Sequence, residues 1–426
     1  MSAVPASLPS STTTQHTLSY LDGLRGLAAA VVVAHHFAGF FYPALLSGDQ
    51  YSARLGAGVE VAVASSPASI LLGGNFAVCL FFVLSGLVLS EKFWRAGTME
   101  ALYSQACRRY VRLMLPVTFA ACVALLLWWA GAYYNTEVGE ITGARRFGEY
   151  WAELPGWKQV LHDLVVGIPL SGESSYNPVF WTLTIELFGS FVVFTLLALF
   201  GTLRHRAVVY AVAILVLCVS ELNFYYAGFI LGVWINDRRH NSASLQVSGR
   251  LRVAVGGLLL AGGLFLGSYP TAELIRVEDT IYSFLRPEWL GNERAIQMWH
   301  LLGAALLLLA VFRLPTLRRL LSLRWLRGLG AISFSLYLLH FPVLGSFSSA
   351  VFLALQAQFT YATSVALTIL ASLPVLLLVS YAMYRLVDLP GIRLAQWLYD
   401  TFFRPQKPAA PLVPIPAASA AEALRS

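Results

Sequence analysis

The chain is 426 residues long, 58% of them apolar and only 12% charged, with mean hydropathy +0.67. A soluble domain carries about 25% charged residues, which excludes a soluble enzyme and leaves the net charge of +7 to membrane orientation rather than nucleic acid. The apolar runs are about 20 residues long, suited to helices rather than barrel strands, so the expected fold is all-α, a polytopic transmembrane helix bundle embedded in the lipid bilayer.

Residues 1–19 hold no Lys or Arg and no apolar core, which reads as a disordered tail without a cleavable signal peptide. Ten spans follow, near 20–41, 70–90, 113–134, 178–200, 207–221, 223–236, 251–269, 295–314, 329–355 and 362–386. The fifth and sixth are short, separated by little more than Glu221 to Asn223, and could form one bent unit. With the N-terminal tail counted as segment zero, the even-numbered connections and the C-terminal tail hold 21 Lys and Arg, Lys407 and Arg425 included, and the odd-numbered connections hold seven. That asymmetry predicts cytoplasmic N and C termini. The four cysteines have no paired spacing, so neither a disulfide framework nor a metal site is expected. The outer connections 135–177 and 270–294 are long, aromatic and acidic, enough for a lid or an acceptor site. Residues 404–426 are Pro- and Ala-rich and read as a second disordered tail, leaving 20–395 as the transmembrane domain.

Ionisable side chains inside spans are rare and usually face a bundle interior or a wet cavity. The first span carries Asp22, Arg25 and His36 near one helical face, because eleven residues at about 100° return the helix to within about 20° of its start. His35 points about 100° away. Asp22 and Arg25 read either as an ion pair reaching the interface or as the mouth of a cavity. His36 reads either as a packing histidine or as a base. Glu186, in NPVFWTLTIELFGS, lies roughly 12 Å from the outer end of the fourth span, a depth it could share with His36. Trp181 is either an interface aromatic or a site wall. Ser333, Tyr337 and His340 of the ninth span follow i, i+4, i+7 spacing and share a face. Arg108, Arg109 and Arg112 precede the third span, either as positive-inside anchors or as a dock for phosphate groups.

Six fragments, in order, resemble the acyltransferase 3 family of integral-membrane O-acyltransferases over about residues 18–395. They are LDGLRGLAAAVVVAHH with Arg25 and His36, NFAVCLFFVLSGLVLS with Phe81, Phe82, Ser85 and Gly86, RRYVRLMLP, the Trp181 and Glu186 segment, ISFSLYLLHFPV with Tyr337 and His340, and YRLVDLPGIRL. Phe334 and Asp388 depart from the family's more usual Tyr and Glu. The resemblance implies acyl-CoA, acetyl-CoA foremost, as co-substrate, with no permanently bound cofactor and a hydroxyl-bearing sugar, lipid or secondary metabolite as acceptor. It implies Arg108, Arg109 and Arg112 at the CoA phosphates. His36 would be the general base, supported by Glu186, with Arg25 beside them. Asp22, Trp181, Ser333, Tyr337 and His340 would wall the substrate pocket. Direct transfer is the simplest route; an acyl-enzyme through a histidine, Ser85 or Ser335 is the other. A secondary transporter or proton-coupled exporter would need the same buried His, Glu and Arg, but the paired broken spans of such proteins are not visible here.

Overall fold

A computed structural model describes residues 18–220, 222–241, 248–287 and 289–405. Apart from Leu18, Ser19, Arg404 and Pro405, the two expected tails lie outside the described residues, as do Glu221, Lys407 and Arg425. The regular structure of the described residues is helical. We label ten helices: α1 (Ser19–Phe41), α2 (Gly74–Ala96), α3 (Met99–Trp129), α4 (Trp181–Phe200), α5 (Arg206–Val219), α6 (Tyr226–Asn241), α7 (Gly249–Gly267), α8 (Asn292–Arg313), α9 (Ser333–Gln356) and α10 (Tyr361–Phe403). All but α5 and α6 are long and apolar enough to cross a membrane, which makes eight such helices and a multi-pass membrane protein. Helices α5 and α6 stand where the two short spans were expected, as separate helices rather than one bent unit.

Helical backbone satisfies its own polar groups, so the bundle can be built around side-chain packing alone. Helix α2 is the most enclosed, packed by α1, α4, α6 and α8, while α7 and α10 are largely peripheral. The α2–α6 crossing is set by two glycines. A Cβ on Gly86 would lie 2.0 Å from the Phe229 carbonyl oxygen, and one on Gly232 would lie 2.1 Å from that of Val83. Backbone cannot retreat as a side chain can, so Gly86→Val should overpack the centre by about 1–3 kcal/mol or more. A lowered unfolding temperature in detergent, with Gly257→Val as the open-space control, is the expected outcome.

The connection between α3 and α4 folds onto α9. Asn135 Nδ2 donates to the carbonyls of Phe147 (2.8 Å) and Tyr150 (3.0 Å), gathering this loop into one unit. Phe147, Tyr150 and Trp151 then pack on Phe341, and Trp151 stacks on Tyr133 at 3.7 Å. Burial there pushes the Tyr150 phenol up from its ordinary pKa.

Candidate active site

The carboxylate of Glu186 on α4 forms an ion pair with Arg109 of α3 and accepts a hydrogen bond from Ser85 Oγ of α2 at 2.7 Å. Ser190, one turn along α4, accepts from Arg109 Nε at 2.6 Å and donates to the Glu186 carbonyl at 2.6 Å. Three helices are thereby tied together by one charged knot. Ser85, Arg109 and Glu186 line a cavity of about 380 Å³.

One end of this cavity is cationic. Arg25, Lys92, Arg108, Arg109 and Arg112 all line it, against two lining carboxylates, Glu186 and Asp388. Arg108 is held in place by α10, through Gln396 Oε1 at 2.5 Å, and its guanidinium lies 5.8 Å from the centre of the Tyr399 ring. Arg112 and Lys92 have no carboxylate at ion-pair distance among the described residues and are open to the cavity. Arg25 pairs loosely with Asp22 at 3.6 Å, both partly exposed; Arg25 lines the cavity, whereas Asp22, expected in the substrate pocket, does not. Guanidinium forks and an ammonium around an open space suit phosphate groups.

The opposite end closes on Thr182 and Tyr337, with Val78, Phe81, Phe82 and Leu183 around them. Thr182 Oγ1 donates to the Val179 carbonyl at 2.8 Å and lies 2.7 Å from the Tyr337 hydroxyl. Ser333 also lines the cavity and caps its own helix turn by donating to Gly330 O at 2.8 Å.

His36 and His340 stand just beyond this end, not in the lining. The Tyr337 and His340 ring centres are 6.0 Å apart, and His340 Nε2 is 3.0 Å from His36 Nδ1. The remaining contacts assign the protons. His340 Nδ1 faces the Leu336 carbonyl at 3.2 Å and His36 Nδ1 faces that of Val32 at 3.0 Å. Carbonyl oxygens only accept, so these contacts favour the tautomer with hydrogen on both Nδ1 atoms, in which the one His36 N–H is shared between the Val32 carbonyl and His340 Nε2. In the neutral pair, His36 Nε2 is left with a bare lone pair. The proline two residues on helps to hold His340 there. Pro342 cannot donate to the carbonyl four residues back, and Asn177 Nδ2 takes up that Leu338 carbonyl at 2.7 Å. Phe147 and Phe341 cover the His36 ring.

The expected contact between His36 and Glu186 is not formed. Thr182 touches Tyr337, His340 lies three positions outward of Tyr337, and Glu186 lies four positions inward of Thr182, so the two levels are roughly 10 Å apart. Arg109 and Ser85 occupy the carboxylate instead. Trp181, expected in the substrate pocket, does not line the cavity; it is 38% exposed and packs near Tyr225. Ser335 is buried outside the lining. The sequence reading did not single out Thr182 and Ser190, although they flank Glu186 at i−4 and i+4 on one face, nor Gln396.

A family model described as "Acyltransferase domain" (Acyl_transf_3) matches residues 18–385. The chain belongs to the acyltransferase 3 family and is a membrane acyltransferase. It is 26% identical to O-acetyltransferase PaAT-1 of Phomopsis amygdali over 449 aligned residues, covering 92% of this chain and 86% of that protein. It is 27% identical to acyltransferase clz18 of Cochliobolus lunatus, and 26% identical to acyltransferase R4 of Phoma sp. (strain ATCC 20986 / MF5453); each alignment covers 78% of this chain and 84% of the relative. No solved structure matches the chain.

Proposed function

We propose that the protein is an O-acyltransferase that moves an acyl group, acetyl foremost, from acyl-CoA to a hydroxyl of a sugar, lipid or secondary metabolite. The similarity to a protein named as an O-acetyltransferase supports the acetyl group. The observation that carries the donor is the cavity itself, cationic at one end and closed against Tyr337, one ring from a histidine pair, at the other. In this reading α5 and α6 complete ten crossings within a transferring unit of about 20–395, and both termini and the cationic mouth face the cytoplasm.

The phosphates of CoA lie among Arg108, Arg112 and Lys92, and the thioester end reaches Tyr337. His36 Nε2 takes the proton of the acceptor hydroxyl as its oxygen attacks the thioester carbonyl. His340 Nε2 holds the Nδ1–H of the resulting imidazolium, the part an acid plays in a triad. The tetrahedral centre then collapses, the C–S bond breaks, and the proton on His36 passes to the CoA sulfur. Arg25 and Arg109 keep the middle of the cavity cationic, with Glu186 fixing Arg109.

Product formation by the purified protein tests this reading: a mass increment of one acyl group on an alcohol, dependent on acyl-CoA, is the expected result, and free CoA should accumulate in equal amount. Arg112→Ala should raise KM for acyl-CoA by about 10- to 100-fold, the equivalent of one charge-assisted contact of about 1.5–3 kcal/mol, with kcat little changed. An unchanged KM would return Arg112 to a purely topological role.

A further inference from the structure

The connection from α8 to α9 joins two helices long and apolar enough to cross a membrane, so it lies at one face of the bilayer. It carries Arg313, Arg318, Arg319, Arg324 and Arg327, and the chain holds no Asp or Glu between Glu293 and Asp388. None of the five arginines has a carboxylate at ion-pair distance among the described residues. Two short helices, Pro315–Leu321 and Arg324–Ala331, shape the connection. Their buried side, Leu321, Leu326 and Gly330, packs on α1 so closely that a Cβ on Gly26 would lie 2.7 Å from the Leu326 carbonyl oxygen. The other side is open and mixes charge with apolar surface. Arg319, Arg324 and Arg327 are exposed there beside Leu320, Leu323 and Trp325, the last of them 65% exposed.

Arg318 and Arg319 also line a cleft with Tyr20, Pro315 and Ser322, apart from the donor cavity. The Arg318 Nε–H is buried and has no acceptor among the described residues, a cost that a bound anion would offset. Ser322 Oγ already donates to the Arg318 carbonyl at 2.7 Å, so what the cleft offers a ligand is chiefly guanidinium. Guanidinium forks suit phosphate. Tryptophan and leucine beside them suit the headgroup layer of a membrane, which favours a lipid over a free phosphate or an acidic protein. We infer that this connection is a docking surface for anionic phospholipid. Arg318 and Arg319 hold the headgroup phosphate, Arg324 and Arg327 add to the attraction, and Trp325 lies in the headgroup layer. Because Leu326 lies against Gly26, the same lipid braces the half of α1 that carries Arg25.

Lipid docking is independent of acyl transfer, so binding tests it and turnover is not needed. The probe is a fluorescent phosphatidylserine, read by polarisation with the purified full chain in detergent. Unlabelled phosphatidylserine should displace it at least about 10-fold more effectively than phosphatidylcholine, and the preference should fade in high salt. Inorganic phosphate at matched ionic strength should not displace it. Arg318→Gln combined with Arg319→Gln should weaken binding about 25-fold, about 5-fold for each cation lost. Arg250→Gln combined with Arg252→Gln removes the same charge from an exposed turn of α7 and should change binding less than about twofold. Unfolding temperatures in phosphatidylcholine nanodiscs should match wild type for both double variants, which certifies their fold. Adding phosphatidylserine to the nanodiscs should then raise the unfolding temperature of wild type and not that of the Arg318 and Arg319 variant. Equal displacement by the two lipids overturns the proposal on wild type alone, even where a variant fails to fold. Equal losses in the two double variants overturn it as general attraction to a basic surface. Displacement by inorganic phosphate overturns it in favour of a site for free phosphate.

Discussion

His36→Ala should lower kcat for acyl transfer by about 10²–10⁴-fold, the usual worth of a positioned general base. KM for acyl-CoA should stay within about twofold, because the imidazole does not line the donor cavity and its loss removes no contact to CoA. His340→Ala should also lower kcat, since it removes the acceptor at 3.0 Å that orients His36 and steadies its charged form. The two substitutions should not add: once the base is gone, its support has nothing to support, so the double variant should resemble His36→Ala. Turnover near wild type in His36→Ala would remove this residue from the chemistry. Full additivity would mean that the histidines act in separate steps.

Much of this site was legible in helix register. Helical spacing put Ser333, Tyr337 and His340 on one face, of which Ser333 and Tyr337 line the cavity and His340 does not; of Asp22, Arg25 and His36, put on one face of the first helix, Arg25 lines it. Length and hydropathy identified the eight long helices and also the two weak segments. Register, however, gives a residue's depth within its own helix and not its partner across the bundle. His36 and Glu186 were matched on depths counted from the ends of their own helices; those ends were close to the observed Ser19–Phe41 and Trp181–Phe200, and the match failed because neighbouring helices do not end at one level. The true partners come from packing: Glu186 meets Arg109 because α3 passes beside α4, and His36 meets His340 because α1 passes beside α9. Gln396 was illegible for a related reason. Its role depends on α10 continuing past its apolar stretch and folding against α3, and nothing local to the residue reports that contact.

Glu186→Ala should destabilise the protein strongly and Arg109→Met about as much, by roughly 3–5 kcal/mol, since either change strands the other charge. The side chains of Arg109 and Glu186 are 12% and 17% exposed, so little water is available to the survivor. Some relief comes from the cavity and, for Arg109, from Ser190, which places the cost of Glu186→Ala toward the lower end of that range. Arg109→Met combined with Glu186→Leu should recover most of the lost stability, because an apolar pair of similar volume replaces two desolvated charges and is often neutral or better. Activity should behave differently. The double variant has lost one of the cations lining the donor cavity, so its KM for acyl-CoA should remain raised even where its unfolding temperature in detergent has returned. Recovery of both together would mean that the ion pair serves only the packing of α3 against α4. Recovery of stability without affinity is the outcome expected of a buried pair whose cation is kept for the substrate's charge.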